Sequence, residues 1–225
     1  MIEKLREQKK RKFSSLLRLP FKTLFLISVF SFLTVISIAP YISPSQQQAI
    51  AQQTNTTLAS PQVNATRTTG DFLTYDNTTL GIKIQYPSNW EKFEQQNAVL
   101  FISPFQSDLD RYRETVGISL VPFVNNISLD EFVSNTTNFL STTANDFELF
   151  VSTPTSLGSL PGHMLVYSYS DPLIGMTRAM ALSTLIDDRY LYTITYSAKP
   201  AEYGNSLPTA QRMIDTFQPY TPILQ

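Results

Sequence analysis

The sequence predicts an α+β fold in which one large, mainly antiparallel sheet of about six or seven strands is covered by helices. Three observations carry this. Seven short apolar or alternating runs follow one another between Gly81 and Ala198. The connections between the later runs carry hairpin punctuation, and two segments with helical spacing are not interleaved with the strands as regular crossovers.

The first run, GIKIQY (81 to 86), puts Ile82, Ile84 and Tyr86 on one side and Lys83 and Gln85 on the other. Pro87 has no N–H and ends the ladder, Ser88 and Asn89 turn the chain, and Trp90 folds back as an anchor at the edge of the core. AVLFIS (98 to 103) and TVGISLVPF (115 to 123) follow. SLDEFVSNTTNFLSTT then changes period: Ser128 caps a helix, Glu131 is its capping-box partner, and Leu129, Phe132, Val133, Phe139 and Leu140 share one face. FELFVST (147 to 153), HMLVYSYS (163 to 170), TRAMALSTLI (177 to 186) and YLYTITYSA (190 to 198) read as a meander. They are joined at Gly158–Gly162, Asp171–Gly175 and a tight turn at Asp187, Asp188 and Arg189. Consecutive hairpins impose antiparallel pairing, so all seven runs are expected in one sheet. Leu207, Ala210, Met213, Ile214 and Phe217 form a last apolar stripe that ends before Pro219.

The chain ahead of the strands is built differently. Residues 1–22 carry eight of the seventeen basic residues, and Thr23 to Ala39 contains no charge at all. With the residues through Ile42 that stretch reaches about 30 Å as a helix, the thickness of a bilayer core. The expectation is a membrane segment at 23–42 whose basic side stays in the cytoplasm, with everything after it exported. It is either a retained single-pass anchor or a signal peptide cleaved near Ala49-Ile50-Ala51, which leaves the domain secreted. Residues 43–70 are rich in Gln, Thr, Asn and Ser and read as a flexible linker of roughly 30 Å reach. The folded domain is expected over 71–220.

Composition removes several functions. There is no cysteine, hence no disulfide, thiol nucleophile or cysteine metal site. From Asp71 onward sixteen acidic residues face eight basic ones, a formal charge of minus eight, so nucleic acid is not an expected partner. No GxSxG elbow, glycine-rich phosphate loop, CxxC pair or HExxH is present, so no catalytic residues are assigned and no enzyme is expected.

The remaining candidates each have a plainer reading. Asp108, Asp110 and Glu114 have the alternate spacing of oxygen ligands for a hard cation, but Arg111 and Arg113 lie among them and favour a solvated, salt-bridged loop. His163, the single histidine, could offer a metal one ligand and is more simply a polar residue at a strand start. Tyr190, Tyr192 and Tyr196 share one strand face and Tyr167 and Tyr169 could line the same face nearby, as a ligand wall or as core. Asn55, Asn64, Asn77, Asn126 and Asn135 stand in Asn-x-Ser/Thr sequons, candidates for glycosylation of an exported domain.

Tyr75, the motif Gly81-Ile82-x-Ile84-x-Tyr86-Pro87-x-x-Trp90 and the order of strands and helices that follows resemble the PsbP family over about residues 71 to 220. That resemblance implies an α/β/α sandwich and a non-catalytic role. It makes Gly81, Tyr86, Pro87 and Trp90 structural residues. The family's founding role, as an extrinsic subunit of photosystem II that helps retain calcium and chloride, makes calcium the one cofactor the resemblance suggests. The acidic domain, the membrane segment and the uncharged linker depart from plant PsbP and speak against carrying over a photosystem role. The expected function is a membrane-tethered or secreted module that docks on or stabilises a protein complex outside the membrane; the alternative is a small-ligand or ion-binding domain with a pocket between sheet and helix.

Overall fold

The computed structural model describes residues 71–107, 110, 112–122 and 127–222. The basic segment 1–22, the apolar segment 23–42, the linker 43–70, Asn55, Asn64, Asp108 and Asn126 lie outside the described residues. Among the described residues no helix is long and apolar enough to cross a membrane.

Among the described residues ten strands form two antiparallel sheets, and two helices pack against them. Seven strands make the large one: β3 (Glu91–Gln95), β4 (Ala98–Ile102), β5 (Thr115–Pro122), β9 (Tyr190–Ala198), β8 (Gly175–Ile186), β7 (Leu160–Asp171) and β6 (Asn145–Leu157), in that spatial order. The small sheet is β1 (Phe72–Asn77), β2 (Ile82–Pro87) and β10 (Gln218–Pro219), with β2 in the middle. The large sheet therefore has seven strands as expected, but not the seven expected. GIKIQY belongs to the small sheet, and its place is taken by β3, whose EKFEQ sequence shows no apolar alternation. β3 is a strand because β4 offers it a ladder in which Phe93 lies opposite Leu100 and Glu94 opposite Val99. β2 also runs one residue further than expected: Pro87 sits in the pairing opposite Phe72.

The topology follows from the one long connection. After β5, the helix α1 (Leu129–Thr143) carries the chain across one face of the sheet to its far edge. The hairpins β6–β7–β8–β9 then return strand by strand until β9 closes against β5. α1 starts where the sequence puts it. Ser128 is extended, its hydroxyl accepts from the Glu131 N–H at 3.1 Å, and Phe132, Val133 and Leu140 are buried. In the β8–β9 turn Asp187 and Asp188 both take positive φ while the Arg189 N–H donates to the Ile186 carbonyl, the geometry that matches the twist of a hairpin. α2 (Tyr203–Asp215) begins a turn ahead of its apolar stripe, with Pro208 inside it, and buries Ala210, Met213 and Ile214.

The faces of the large sheet are covered differently. On the first, Val99, Phe101, Val116, Ile118, Met180, Leu182, Tyr192, Ile194 and Tyr196 form one core with Ile82 and Ile84 of the small sheet, with Met213 and Ile214 of α2 and with Phe217 beyond it. On the second, α1 packs on β6, β7 and β8. Covering layers on both sides give the α/β/α arrangement.

Candidate docking surface

The tyrosines divide between the two faces. Tyr190, Tyr192 and Tyr196 point into the first core, whereas Tyr167 and Tyr169, with Tyr167 registered opposite Ala179, point to the second face under α1. The expected common tyrosine wall therefore does not exist, because β7 enters the ladder with its odd-numbered residues on the other side. The first-face tyrosines are structural. The Tyr192 hydroxyl donates to the Leu80 carbonyl at 2.7 Å and pins the β1–β2 turn to the sheet, and the Tyr196 hydroxyl donates to the Tyr203 carbonyl at 2.7 Å and pins the start of α2. Burial pushes the Tyr167 phenol up to about 12 and raises Tyr169, Tyr192 and Tyr196 further still. Phenols raised by desolvation stay protonated, as the donors of these bonds must be.

The acid-rich loop is salt-bridged but not solvated at Glu114 and Arg113. Glu114 is fully buried, and its carboxylate accepts from the Ser103 hydroxyl at 2.6 Å and the Gln106 amide at 2.5 Å. Arg113 is also buried. It donates to the Ser103 carbonyl at 2.5 Å and pairs with Glu91 of β3 at 2.8 Å. Asp110 accepts from the backbone N–H groups of Gln106 and Tyr112 and lies 3.6 Å from Lys199. The charges here fasten a loop onto the sheet, and no cluster of metal-ligating side chains occurs among the described residues. His163 shares a hydrogen bond of 2.9 Å with the Ser152 hydroxyl on the neighbouring strand. In the β1–β2 turn Asn77 uses both ends of its amide, donating to the Tyr75 hydroxyl and accepting from the Leu80 N–H. Asn135 lies half-buried in α1.

Trp90 is 8 % exposed and part of the first core, and Tyr86 stacks on Phe101 with ring centroids 4.7 Å apart. Gly81 has φ of +64°, and a methyl there would run into the Tyr220 carbonyl oxygen, so only glycine fits.

What the sequence reading missed is an apolar corner. Leu149, Phe150 and Val151 on β6, Leu173 in the β7–β8 turn and Met176 at the start of β8 are exposed, Leu173 to 73 %. Along the first face Val151 lies on the rung of Val166 and Met180, and Met176 four residues back along β8 with Arg178 between them, whereas Leu149, opposite Tyr167, belongs to the face of α1. The Arg178 guanidinium lies between the Phe150 ring at 4.6 Å and the Tyr203 ring at 5.8 Å. Its Nε is buried without a hydrogen-bond partner. Periodicity gives no signal for this corner, because each residue reads as an ordinary strand or turn position; the hydrophobic run Leu149 to Val151, too long for one buried face, is the only trace.

Solved structures share this fold at low sequence identity. A protein of unknown function and putative regulator from Pseudomonas aeruginosa has a TM-score of 0.51 at 13 % identity, covering 68 % of this chain and 99 % of its own. Cyanobacterial PsbP (CyanoP) from Synechocystis sp. PCC 6803 has 0.50 at 16 %, covering 72 % and 99 %. LpqN, involved in cell envelope biogenesis of Mycobacterium tuberculosis, has 0.50 at 13 %, covering 61 % and 82 %. No family model matches the sequence, and no curated protein matches it.

Proposed function

We propose that this chain is a non-catalytic module outside the cytoplasmic membrane, tethered by residues 23–42 or released by cleavage, which docks on a protein complex and stabilises it. The observation that carries the reading is the apolar corner. Buried tyrosines fill the centre of the fold, whereas among the described residues five of the eight exposed large apolar side chains belong to β6, the β7–β8 turn and the start of β8, the others being Leu73, Phe93 and Phe105, and such a concentration suits a surface that another molecule covers. The likeness to CyanoP and to a cell-envelope protein agrees with an exported accessory role. The pocket reading loses the lining it needed, since Tyr192 and Tyr196 have no exposed surface and their hydroxyls hold backbone carbonyls.

Affinity purification of the full chain from its native membranes tests this. A protein that co-purifies in fixed ratio is the expected result, and a small molecule with no protein would sink the reading. An intact-mass measurement decides the tether, because loss of about fifty residues would mean cleavage after the Ala-Ile-Ala sequence.

A further inference from the structure

We infer that the second face of the large sheet binds an internal water between Thr115 and Ser197, under the ring of Tyr112, and that this water joins the acid-rich loop to the sheet. The inference does not depend on the docking reading above.

The two faces of the central strands carry different side chains. Where β5, β9 and β8 run side by side, two rungs present Val116, Tyr196 and Met180, then Ile118, Ile194 and Leu182, to the first core. The alternate rungs present Thr115, Ser197 and Ala179, then Gly117, Thr195 and Ala181, to the second face, all buried and all small. Small residues alone make no site. Two of these six, though, carry hydroxyls that nothing in the protein satisfies. Thr115 Oγ1 and Ser197 Oγ are buried without a hydrogen-bond partner, in residues 4 % and 0 % exposed. Thr115 and Ser197 are cross-strand partners, so both hydroxyls stand on one face with their Cβ atoms about 5 Å apart.

A third hydroxyl reaches the same place. Tyr112 precedes β5, and its hydroxyl lies beside Thr177 of β8 but out of hydrogen-bonding geometry. β9 runs between β5 and β8, and Thr177 shares a face with Ala179 and Ser197, so the Tyr112 ring crosses β9 at its Ser197 end. Lys199 Nζ, two residues beyond Ser197, lies 5.8 Å from the centre of that ring. Thr177 gives its own proton to the Gly175 carbonyl at 3.2 Å, and Tyr112, 3 % exposed, is left without a partner. Burial above all raises the Tyr112 phenol, and the carboxylates of Glu114, Asp171 and Glu202 add to it. The phenol therefore keeps its proton and needs an acceptor.

Chemistry selects the occupant. Each of the three hydroxyls has a proton to give and lone pairs to fill. A cation answers only the lone pairs and an anion only the protons. Water answers both, and a buried water makes about three hydrogen bonds. Bonds of about 2.8 Å on either side let one water join oxygens up to about 5 Å apart, which spans the rung. The charges nearby are already engaged: Glu114 accepts from Ser103 and Gln106, and Lys199 lies 3.6 Å from Asp110 and 3.7 Å from Glu202. Glu114 and Arg113 fasten the loop at its foot, and the water fastens it through Tyr112.

Thermal unfolding of the full chain, together with its crystal structure, tests the inference. Thr115→Val and Tyr112→Phe each keep the shape of the side chain and remove one hydroxyl. With water bound, each is expected to lower the melting temperature by about 2 to 4 °C, roughly the effect of one lost hydrogen bond. Ser197→Ala combined with Thr115→Val is expected to fall little further than Thr115→Val alone, because the first substitution already releases the shared water. The crystal structure is expected to show a water oxygen within about 3.2 Å of both Thr115 Oγ1 and Ser197 Oγ. If the hydroxyls are instead dry, Thr115→Val removes an unsatisfied group, the melting temperature holds or rises, and the inference fails. It fails equally on a direct hydrogen bond between Thr115 and Ser197, on density larger than a water, or on losses that add in the double variant. Should a variant not fold, the crystal structure of the unaltered chain decides alone.

Discussion

The two edges of the seven-stranded sheet solve the same problem in opposite ways. β3 is five residues long and wholly exposed, and around its one exposed phenylalanine, Phe93, it is charged, with Lys92 paired to Glu94 and lying over the Tyr75 ring, and Arg113 reaching out to Glu91. β6 is thirteen residues long and carries Leu149, Phe150 and Val151 into solvent. A sheet edge invites association, and charge is the cheapest deterrent. One edge is short and mostly charged, with Phe93 its single exposed apolar side chain. At the other the backbone is blunted by bulges and a proline while the apolar side chains remain, which separates prevention of aggregation from provision of a binding surface.

The comparison predicts that substitutions near β3 cost stability and those at the β6 corner do not. The largest effect is expected for Trp90→Ala, which empties a filled position just ahead of β3 and should cost about 3 to 5 kcal/mol in denaturant unfolding. Unchanged stability would mean that Trp90 is not an anchor. Glu114→Ala comes next. It leaves the Ser103 hydroxyl and the Gln106 amide without their shared acceptor, at a cost of about 2 kcal/mol. If stability instead holds, the loop is not fastened by this carboxylate. At the β6 corner Phe150→Ala and Met176→Ala should each change stability by less than about 1 kcal/mol, because they remove exposed surface and at most one cation–π contact. A large loss of stability at Phe150 would make the corner structural and erase the contrast between the edges.

Neither edge governs the response to pH, which comes from the phenols buried on both faces. Their ordinary value is 10.0, and burial raises Tyr167 to about 12 and Tyr169, Tyr192 and Tyr196 beyond it. The unfolded chain loses these protons first. The stabilisation is complete below pH 10 and is lost as pH climbs above it toward the folded values. Unfolding free energy should be level from about pH 7 to pH 9 and fall beyond about pH 10. A fall that begins near neutrality would point to other groups.

Much of the fold was legible because its signals are local. The Ser128 cap, the Asp187-Asp188 turn and the alternation of β2 are written in adjacent residues, and the structure returns each of them. β3 was not legible, since EKFEQ becomes a strand only through its pairing with β4. Nor was the division of the tyrosines, because one residue of register decides which face a strand presents. Of the candidate site, Arg178 and Met176 gave no sign at all. The setting of Arg178 depends on Phe150 and Tyr203, which are 28 and 25 residues away from it in sequence and meet it only through the ladder and the start of α2.

The sequence by itself determined the kind of elements, their order and the residues that cap and turn them, because hydrogen bonds between near neighbours and the periods of strand and helix need nothing distant. Only the tertiary structure decided which strands share a sheet, that Glu114 and Arg113 are buried fasteners, and that β6 leaves its apolar side chains uncovered. Exposure is a property of what packs against a residue, and no stretch of sequence contains that.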